Sequence, residues 1–545
     1  MSSLNVRSSV LFLVATLGVL NRPVDAAVPT PPASQRQAGS GLMRARSVVE
    51  RAMQVMGGES LLAATAAIQT HERRTTYRLT DSDHPEGPYL VNPTEATRYI
   101  DFEHQQLVSQ LDIRSPNGDE QIATVIYRVG ESEMRSTYNG RNIPTQLMPA
   151  PQNWSLSNPI TALRTAYEAP DLQIVGTSTL YGTPHTLVRF IHDAQPITLE
   201  VNDYNGYVDS ITQRLCAPYS IALSVWGDYE SRYVFADWRL EKGGLHYPFL
   251  STNYFNGVLQ EVDEVKDLEV NPQASTLGPL ANSPVDPQGV RNPGSVDDIP
   301  LSNLQQQANG NPGTGPVEIA PGILQIPGNW YTTVVRQQDG LVIIDAPISS
   351  GYSRQVIEEA KRRFPGLPIK AVITSTSYWW HFAGIREYAA QGVPIYVLDV
   401  NERLINSALK APHISHPDDL VRSPKAPKLI AVSKAPKLIA VSKATTIGTG
   451  TDRIVVYPIR SATGQMMMTW LPEAHILYTA EMAQPLGPNH TFLFPQSLWE
   501  LMEAVNSCQL PVQKIIGMHM SPTPWSVLVK SVEAAVAGQP SPTNQ

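Results

Sequence analysis

The sequence predicts an α+β protein in two parts, with an antiparallel β region in the first half and a mixed region of strands and helices in the second. Residues 98–112, 121–138 and 231–239 alternate with a period of two and are rich in Tyr, Val and Thr, which is typical of half-buried strands. In the second half, a helical pattern at 353–364 lies between apolar strand patterns at 341–344 and 369–373. The stretch 271–316 between them is rich in Pro, Gly, Asn, Ser and Gln, which predicts a linker without a core.

Length and composition agree with several globular domains. At roughly 150 residues per domain, a chain of 545 residues allows two to four of them. The hydrophobic fraction of 42% is ordinary for a globular protein. A net charge of -8 and a pI near 5.9 leave no basic surface for nucleic acid, so we predict no nucleic-acid partner.

The first residues have the pattern of a secretory signal. Arg7 supplies the positive charge, 10–20 is a short apolar run, and V-D-A at 24–26 ends in a small residue suited to cleavage. We therefore assign 1–26 to a signal peptide, with cleavage after Ala26 or Ala27, and 27–44 to a flexible leader rich in Pro, Ala, Ser and Gln. The alternative is an uncleaved interfacial anchor. The apolar run is too short to span a membrane, and the prediction is export to a periplasmic or extracellular location.

Residues 45–270 are predicted to form the antiparallel β domain, with a helix beginning near Ala45. Asn-Gly pairs at 117–118, 139–140, 205–206 and 256–257 separate the strand patterns, as hairpin turns do. The segments G-G-E-S-L-L-A-A at 57–64, L-E-V-N-D-Y-N-G-Y-V at 199–208 and H-Y-P-F-L-S-T-N-Y-F-N-G-V-L-Q-E-V at 246–262 resemble the LolA/LolB-type lipoprotein carriers. That resemblance implies a half-barrel over helices that binds acyl chains in its concave face. The alternative is a β module that only positions its partner domain.

The second half contains a distinctive loop, S-T-S-Y-W-W-H-F-A-G at 375–384, between an apolar strand and a helical pattern at 385–391. Other pieces accompany it in order: G-N-W-Y-T-T-V-V-R-Q-Q-D-G-L-V-I-I-D-A-P at 328–347, P-I-R-S-A-T-G-Q at 458–465, A-E-M at 480–482 and I-I-G-M-H-M at 515–520. Together they resemble the metallo-β-lactamase superfamily over roughly residues 315–535. The resemblance implies an αββα sandwich, which we assign to 317–537, followed by a tail at 538–545.

Most ligand positions of the family's first metal site are changed in this chain. The family's loop reads T-H-x-H-x-D-H-x-x-G, and its side chains hold one or two zinc ions that activate water. Aligned through H-F-A-G, the chain has Thr376, Tyr378 and Trp380 at three of the four ligand positions. It keeps only the last, His381, and Ser461 stands where the family has a further His. The family's first site corresponds to Thr376, Tyr378 and Ser461, and because neutral hydroxyls are poor zinc ligands, we expect no ion there. Trp380 replaces the Asp of the second site.

The second metal site keeps a usable set of ligands. Glu481 stands where the family has its bridging Asp, and His519 stands where the family has its last His. With His381 these make two His and one carboxylate, a known ligand set for one catalytic zinc. The resemblance thus implies at most one zinc ion held by His381, Glu481 and His519, with His381 and Glu481 as the catalytic residues.

Two functions follow from this comparison, and the sequence leaves both open. In the first, the protein is a metal-dependent hydrolase that activates water against an ester, amide or lactone bond of a small-molecule or lipid-like substrate. In the second, the domain is an inactive scaffold, and the first half binds a lipid or hydrophobic ligand. A metal-free interpretation then has His381 capping a helix or binding a backbone carbonyl, and Glu481 pairing with Arg460. Loss of the loop Asp favours it, because that group usually orients the attacking water.

Other features carry weaker expectations. Cys216 and Cys508 fall in different predicted domains and form no C-x-x-C pair, so we expect incidental thiols rather than a disulfide framework. The nine residues K-A-P-K-L-I-A-V-S occur twice, at 425–433 and 434–442, and are expected to lengthen a surface loop or strand. Four further residues are weaker site candidates: His413 and His416 as a surface pair, His490 as a neighbour of the pocket, and Asp345 as a structural hydrogen-bond acceptor.

Overall fold

The structure, a computed structural model, describes most of the chain. The described residues are 35–79, 89–114, 120–138, 140–148, 150, 154–215, 226–291, 301, 315–328, 330–414, 417–424, 428–432, 444–461, 464–486, 491–492 and 494–538. The predicted signal peptide, Cys216, His416, His490, the second copy of the repeat and the side chains of Arg460 and Ser461 lie outside this description. Within it, no helix is both long and apolar enough to cross a membrane.

A large antiparallel sheet dominates the first half of the chain. Its fourteen strands follow the order β14-β6-β5-β4-β3-β2-β1-β13-β12-β11-β10-β9-β8-β7, and only the β14–β6 pair is parallel. The strands are β1 Ala67–Tyr77, β2 Val91–Asp101, β3 Gln106–Arg114, β4 Glu120–Arg128, β5 Glu131–Tyr138, β6 Arg141–Met148, β7 Gln173–Leu180, β8 Thr183–His192, β9 Gln195–Asn202, β10 Val208–Leu215, β11 Tyr229–Leu240, β12 His246–Phe255, β13 Val258–Val270 and β14 Val290–Arg291.

Helices cover part of this sheet. They are α1 Gln35–Val55, α2 Glu59–Ala64, α3 Pro159–Glu168 and α4 Gly278–Ala281. Along α1 the buried residues Ala45, Val49 and Ala52 recur at spacings of four and three, so one face of the helix joins the core of the sheet. In α3, Asn158 caps the first turn, since its side-chain oxygen accepts from Ile160 N at 2.9 Å.

Several elements of the first half differ in extent from the sequence prediction. Helix α1 begins at Gln35 rather than near Ala45, because the leader's last proline is Pro32 and the Gln, Arg and Ala that follow favour a helix. The stretches 98–112 and 121–138 are each two strands. In the first, Asp101 Oδ1 accepts from the backbone N–H of Glu103 and His104 and so turns the chain. The Asn-Gly pair at 256–257 has positive φ at both residues, as a two-residue hairpin turn requires.

The second half contains two further main sheets. One has seven strands in sequence order: β15 Val317–Ala320, β16 Ile323–Ile326, β17 Thr332–Gln337, β18 Gly340–Ile344, β19 Ile369–Ile373, β20 Ile395–Leu398 and β21 Leu429–Val432. The other has the order β22-β23-β24-β25-β28-β29, with bounds β22 Thr445–Ile447, β23 Ile454–Ser461, β24 Gly464–Leu471, β25 Ile476–Tyr478, β28 Lys514–Gly517 and β29 Met520–Pro524. The short strands β26 Pro485–Leu486 and β27 Thr491–Phe492 pair separately. The first copy of the repeat supplies β21.

Among the described residues, six α-helices accompany these sheets, and this part of the chain is a strand-rich mixed α/β structure. They are α5 Ser350–Arg363, α6 Ile385–Gln391, α7 Glu402–Lys410, α8 Asp419–Arg422, α9 Pro495–Ser507 and α10 Trp525–Val536. Residues of both sheets share one hydrophobic core, in which Val342 and Ile344 of β18 lie with Val456 of β23 and Tyr478 of β25. Burial of these apolar residues stabilises the packing of one sheet on the other.

Strand pairing in this half brings loop residues from distant segments to one place. Strands β18 and β19 are parallel and pair Ile344 with Ile373, so the residues that follow each strand emerge side by side. Strands β25 and β28 are also parallel and pair Tyr478 with Ile516. Because parallel strands end at the same edge of a sheet, the segments after all four strands can contribute to one site.

The predicted linker and domain boundaries stay a prediction. In the described part of 271–316, α4 contacts β3 and β4, and β14 pairs with β6, so both elements lie against the first sheet. The two halves also contact each other. Asp228 N donates to Pro412 O at 2.6 Å, and Ile414 N donates to a carboxylate oxygen of Asp228 at 2.6 Å.

Candidate metal site

The three residues of the predicted metal set lie together. Their ligand atoms all fall within 4.8 Å of one another, and no other group of three or more His, Cys, Asp or Glu among the described residues is arranged to hold an ion. Glu481 Oε2 lies between the two rings, 2.6 Å from His381 Nε2 and 2.8 Å from His519 Nε2. The residues follow three different strands, β19, β25 and β28, so tertiary structure alone brings them into contact.

Asp345 holds His381 from the opposite side. It follows β18 with a φ of 60°, and its Oδ2 lies 2.7 Å from His381 Nδ1. The same carboxylate accepts from Ser375 N and Ser375 Oγ, each at 2.7 Å, and from the Tyr478 hydroxyl at 2.5 Å. A carboxylate on Nδ1 fixes the ring orientation and leaves Nε2 directed at Glu481. Asp345 thus has the hydrogen-bonding position expected of it.

Burial and charge set the protonation of this cluster. Burial by itself lowers the pKa of His381, but the carboxylates of Asp345 and Glu481 outweigh it and raise the pKa to about 9. Burial favours the neutral form of Glu481, whereas His519 and His381 outweigh it and hold the pKa of Glu481 well below its usual value. Without an ion, the cluster therefore contains an imidazolium bonded to two carboxylates.

The donor set fits a zinc ion. Two imidazole nitrogens and one carboxylate oxygen form a known set for catalytic zinc, and Asp345 gives His381 the outer carboxylate that such ligands usually have. His381 is fully buried, while the His519 side chain is 14% exposed, so the cluster is accessible from the His519 side. The residues that could hold a metal are therefore His381, Glu481 and His519.

The residues at the other three expected ligand positions of the loop are buried in packing contacts. Thr376 and Tyr378 are both 1% exposed, and Thr376 pairs with Met466 in an isolated bridge to β24. Trp380 is in the hydrophobic core, with its ring centroid 4.5 Å from that of Trp379 and 6.2 Å from that of Trp330. Tyr378 and Trp380 of the loop 375–384 therefore belong to the hydrophobic core and do not act as metal ligands.

The metal-free alternative for His381 needs a correction. Neither ring nitrogen caps a helix or binds a backbone carbonyl, since Nδ1 and Nε2 face the carboxylates of Asp345 and Glu481. Cys508 is a half-buried free thiol.

Three residues near the site were not singled out from the sequence. Tyr478 and Ser375 donate to Asp345, and the Gln484 side chain donates to the second oxygen of Glu481. Gln484 had a usable signal, because it follows Glu481 by three residues in the same turn. Tyr478 had none, since an aromatic residue at the end of an apolar strand is ordinary core composition.

Comparison with known proteins gives partial structural likenesses only. No protein-family model and no curated protein matches the chain. Among solved structures, the DIM-1 metallo-β-lactamase is 15% identical, with 41% of this chain and 97% of that chain covered and a TM-score of 0.29. The FIM-1 metallo-β-lactamase from Pseudomonas aeruginosa in its mono-zinc form is 12% identical, covering 44% of this chain and 97% of that chain at the same TM-score, 0.29. The sec-alkylsulfatase Pisa1 from Pseudomonas sp. is 15% identical, covering 43% of this chain and 45% of that chain, again with a TM-score of 0.29.

Proposed function

We propose that the protein is a hydrolase that uses at most one zinc ion, held by His381, Glu481 and His519, against an ester, amide or lactone bond. The observation that carries this proposal is the convergence of three ligand atoms within 4.8 Å from three separate segments. Apolar side chains would serve a packing role without the free-energy cost of burying polar groups. The presence of two His and a carboxylate in a buried site therefore favours a role beyond packing.

The residues around the ion have separable tasks. When bound, zinc lowers the pKa of water and polarises a carbonyl oxygen. His381 and Glu481 supply buried ligand atoms for the metal, and Asp345 orients the His381 ring through Nδ1. Gln484 holds the Glu481 oxygen that faces away from the two rings. His519, the most exposed member, lies on the side from which a substrate would approach.

The alternative is an inactive domain in which the same residues form an ion-pair cluster. The observation that favours it is that both ring nitrogens of His381 and Oε2 of Glu481 are already hydrogen-bonded to one another or to Asp345. A cluster satisfied in this way is stable without zinc, and a scaffold could retain it for packing. The two functions differ in metal content and in turnover, so both can be measured directly.

The test is zinc content and hydrolysis of the purified protein with and without His519→Ala. We expect at most one zinc per chain after reconstitution, and hydrolysis of at least one of a chromogenic ester, a γ-lactone and a chromogenic β-lactam. Because two ligands rarely retain zinc, His519→Ala should weaken zinc binding by at least ~100-fold and remove hydrolysis. His71→Ala is the matched control, since His71 is exposed on β1 and its ring contacts Thr97.

Three outcomes separate the alternatives. Two tightly held ions per chain would contradict the ligand assignment. No zinc uptake together with no hydrolysis supports the inactive scaffold. If His519→Ala keeps its activity and only its melting temperature falls, His519 is a structural residue and the hydrolase assignment for this pocket is wrong.

The wider organisation of the protein belongs to the same proposal. We infer an αββα arrangement for residues 317–537, supported by the shared core of the two sheets, and export directed by residues 1–26, supported by their sequence alone. The carrier-like function of 45–270 rests only on the sequence pattern of strands and turns. For the substrate we favour a small molecule.

A further inference from the structure

The large first sheet encloses a cavity that is unrelated to the metal cluster. Its volume is about 260 Å³, and it is lined by β1–β4 and β10–β13 together with the turn Trp154–Ser157. Pockets for drug-sized ligands measure roughly 300–1,000 Å³. The cavity therefore suits a smaller molecule, about the size of a single sugar or amino acid.

The lining is charged, and its carboxylates outnumber its guanidinium groups. Asp263 is paired with Arg74 across β1 and β13, with Arg74 Nε 2.6 Å from Asp263 Oδ1 and 3.4 Å from Glu261 Oε2. Glu72 Oε2 lies 3.7 Å from Arg74 Nη2 and 3.5 Å from Arg98 Nη2. Each guanidinium already has at least two carboxylates within 4.0 Å, so neither is free for an anionic ligand. Three carboxylates face two guanidinium groups, so the lining carries one net negative charge when all three carboxylates are ionised.

Several buried polar atoms in this lining have no hydrogen-bond partner within the described chain. Glu72 is 5% exposed; its Oε1 accepts from Thr70 Oγ1 at 2.6 Å, but its Oε2 has no hydrogen bond. Gln213 is 3% exposed and its Nε2 donates to nothing, and the Nε of Arg98 is equally unpartnered. Since buried polar groups nearly always have partners, these atoms indicate a ligand that offers one hydrogen-bond donor and oxygen acceptors.

Aromatic rings stand beside the charges. The Tyr127 and Trp154 rings stack with centroids 5.9 Å apart, and Tyr233 lines the cavity from β11. The faces of such rings attract cations, most strongly where water is excluded. A neutral or anionic ligand would gain nothing from this attraction of ring faces for cations.

We propose that the cavity binds a small protonated amine that also carries hydroxyl or carbonyl oxygens. Its ammonium group donates to Glu72 Oε2, the carboxylate oxygen without a hydrogen bond, beside the aromatic rings. Its oxygens accept hydrogen bonds from Gln213 Nε2 and Arg98 Nε. The acyl chains that the carrier resemblance implies are disfavoured here, because they would leave Glu72 Oε2, Gln213 Nε2 and Arg98 Nε buried without a hydrogen bond.

Protonation in the cavity agrees with a cationic ligand. Burial and the neighbouring Asp263 raise the pKa of Glu72 to about 7, and burial raises the pKa of Glu261 to about 8. A bound ammonium ion would favour the ionised carboxylates, so binding near pH 7 should release protons. The other titratable or charged groups that face these two carboxylates are Arg74, Arg98, Asp263, His71, Tyr127, Tyr233 and Tyr247.

Calorimetric titration of the full chain at pH 7 tests the proposal with two matched pairs of compounds. The amines are glucosamine and ethanolamine, and their uncharged counterparts are glucose and ethylene glycol. We expect at least one amine to bind at least ~10-fold more tightly than its counterpart. The same titration in two buffers of different ionisation enthalpy should show proton release.

Site-directed variants locate the binding. Glu72→Gln keeps the shape but removes the carboxylate that would pair with the ammonium group, and it should weaken amine binding at least ~10-fold. Glu264→Gln is the control, because Glu264 is an exposed residue of the paired strand β13 whose carboxylate faces Lys266. The proposal is overturned if neither amine binds, if a neutral counterpart binds equally well, or if Glu72→Gln leaves the affinity unchanged. The paired compounds need no variant, so this comparison decides the question even if Glu72→Gln does not fold.

Discussion

Replacing Asp345 by Asn tests whether one buried carboxylate holds the candidate metal site together. Asp345 is fully buried and accepts four hydrogen bonds, from His381 Nδ1, the Tyr478 hydroxyl, and the backbone N–H and hydroxyl of Ser375. Asn has nearly the same shape but carries one oxygen and one NH₂ group. At least one of the present donors must then face another donor.

The expected loss follows from these contacts. Hydrogen bonds to a charged group contribute about 1.5–3 kcal/mol each, and removing one partner of a buried ion pair costs about 3–5 kcal/mol. The hydroxyls of Ser375 and Tyr478 can rotate to other acceptors, whereas the His381 ring cannot. We therefore expect the free energy of unfolding to fall by about 3–5 kcal/mol, which corresponds to a melting temperature lower by roughly 6–20 °C. Zinc affinity should fall by ~10–100-fold.

The assay is urea denaturation followed by tryptophan fluorescence, because Trp330, Trp379 and Trp380 lie in the core next to the site. It should be run in the presence of a chelator and again with zinc. Asp339→Asn is the matched control, since Asp339 is an exposed carboxylate that pairs only with Lys370 among its described ionic contacts. The control should unfold at the wild-type urea concentration.

A small effect would refute this reasoning. If Asp345→Asn lowers the free energy of unfolding by less than about 1 kcal/mol with chelator present, the carboxylate does not stabilise a buried imidazolium. If stability falls as expected while zinc affinity is unchanged, Asp345 supports the fold and does not orient a metal ligand.

Three further predictions concern other parts of the molecule. At Gly227 a Cβ would lie 1.9 Å from Pro412 O, whereas at Gly243 it would meet no atom within 4 Å, and both residues have positive φ. Gly227→Ala should therefore destabilise the protein by about 1–3 kcal/mol more than Gly243→Ala in thermal unfolding; equal losses would mean that the two halves do not touch there. The folded-state pKa of Glu72 is raised from 4.5 to about 7, so its stabilising contribution is complete below pH 4.5 and is lost as the pH rises through 7. Glu72→Gln removes this titration, and its stability relative to wild type should rise by up to about 3 kcal/mol between pH 4.5 and 8, whereas a flat difference in urea midpoints across this range would contradict the raised pKa. Limited proteolysis should cut first within 271–316, beyond Arg291, and leave two folded fragments; cleavage inside either β region instead would place the boundary elsewhere.

Local patterns in the sequence predicted whether most elements are helices or strands, but not the residues at which those elements begin and end. The alternation at 98–112 is continuous through a turn, because Asp101 bends the chain with its own side chain and no Gly or Pro marks the position. The Asn-Gly pair at 256–257 was a reliable signal, since those residues tolerate the positive φ values that a tight hairpin needs. By contrast, β1 pairs with β13 across nearly the whole first region, and no local pattern encodes a contact at that separation.

The sequence, through its resemblance to the metallo-β-lactamase superfamily, predicted His381, Glu481 and His519 as the candidate metal ligands. Only the tertiary structure decided that Asp345 and Tyr478 support them, and that Glu72, Arg74 and Asp263 meet in one cavity. The physical reason is that the chemistry of a side chain belongs to its residue, whereas its pKa and hydrogen-bond partners depend on strand pairing between distant segments. Burial then makes those contacts strong, because little water competes for them.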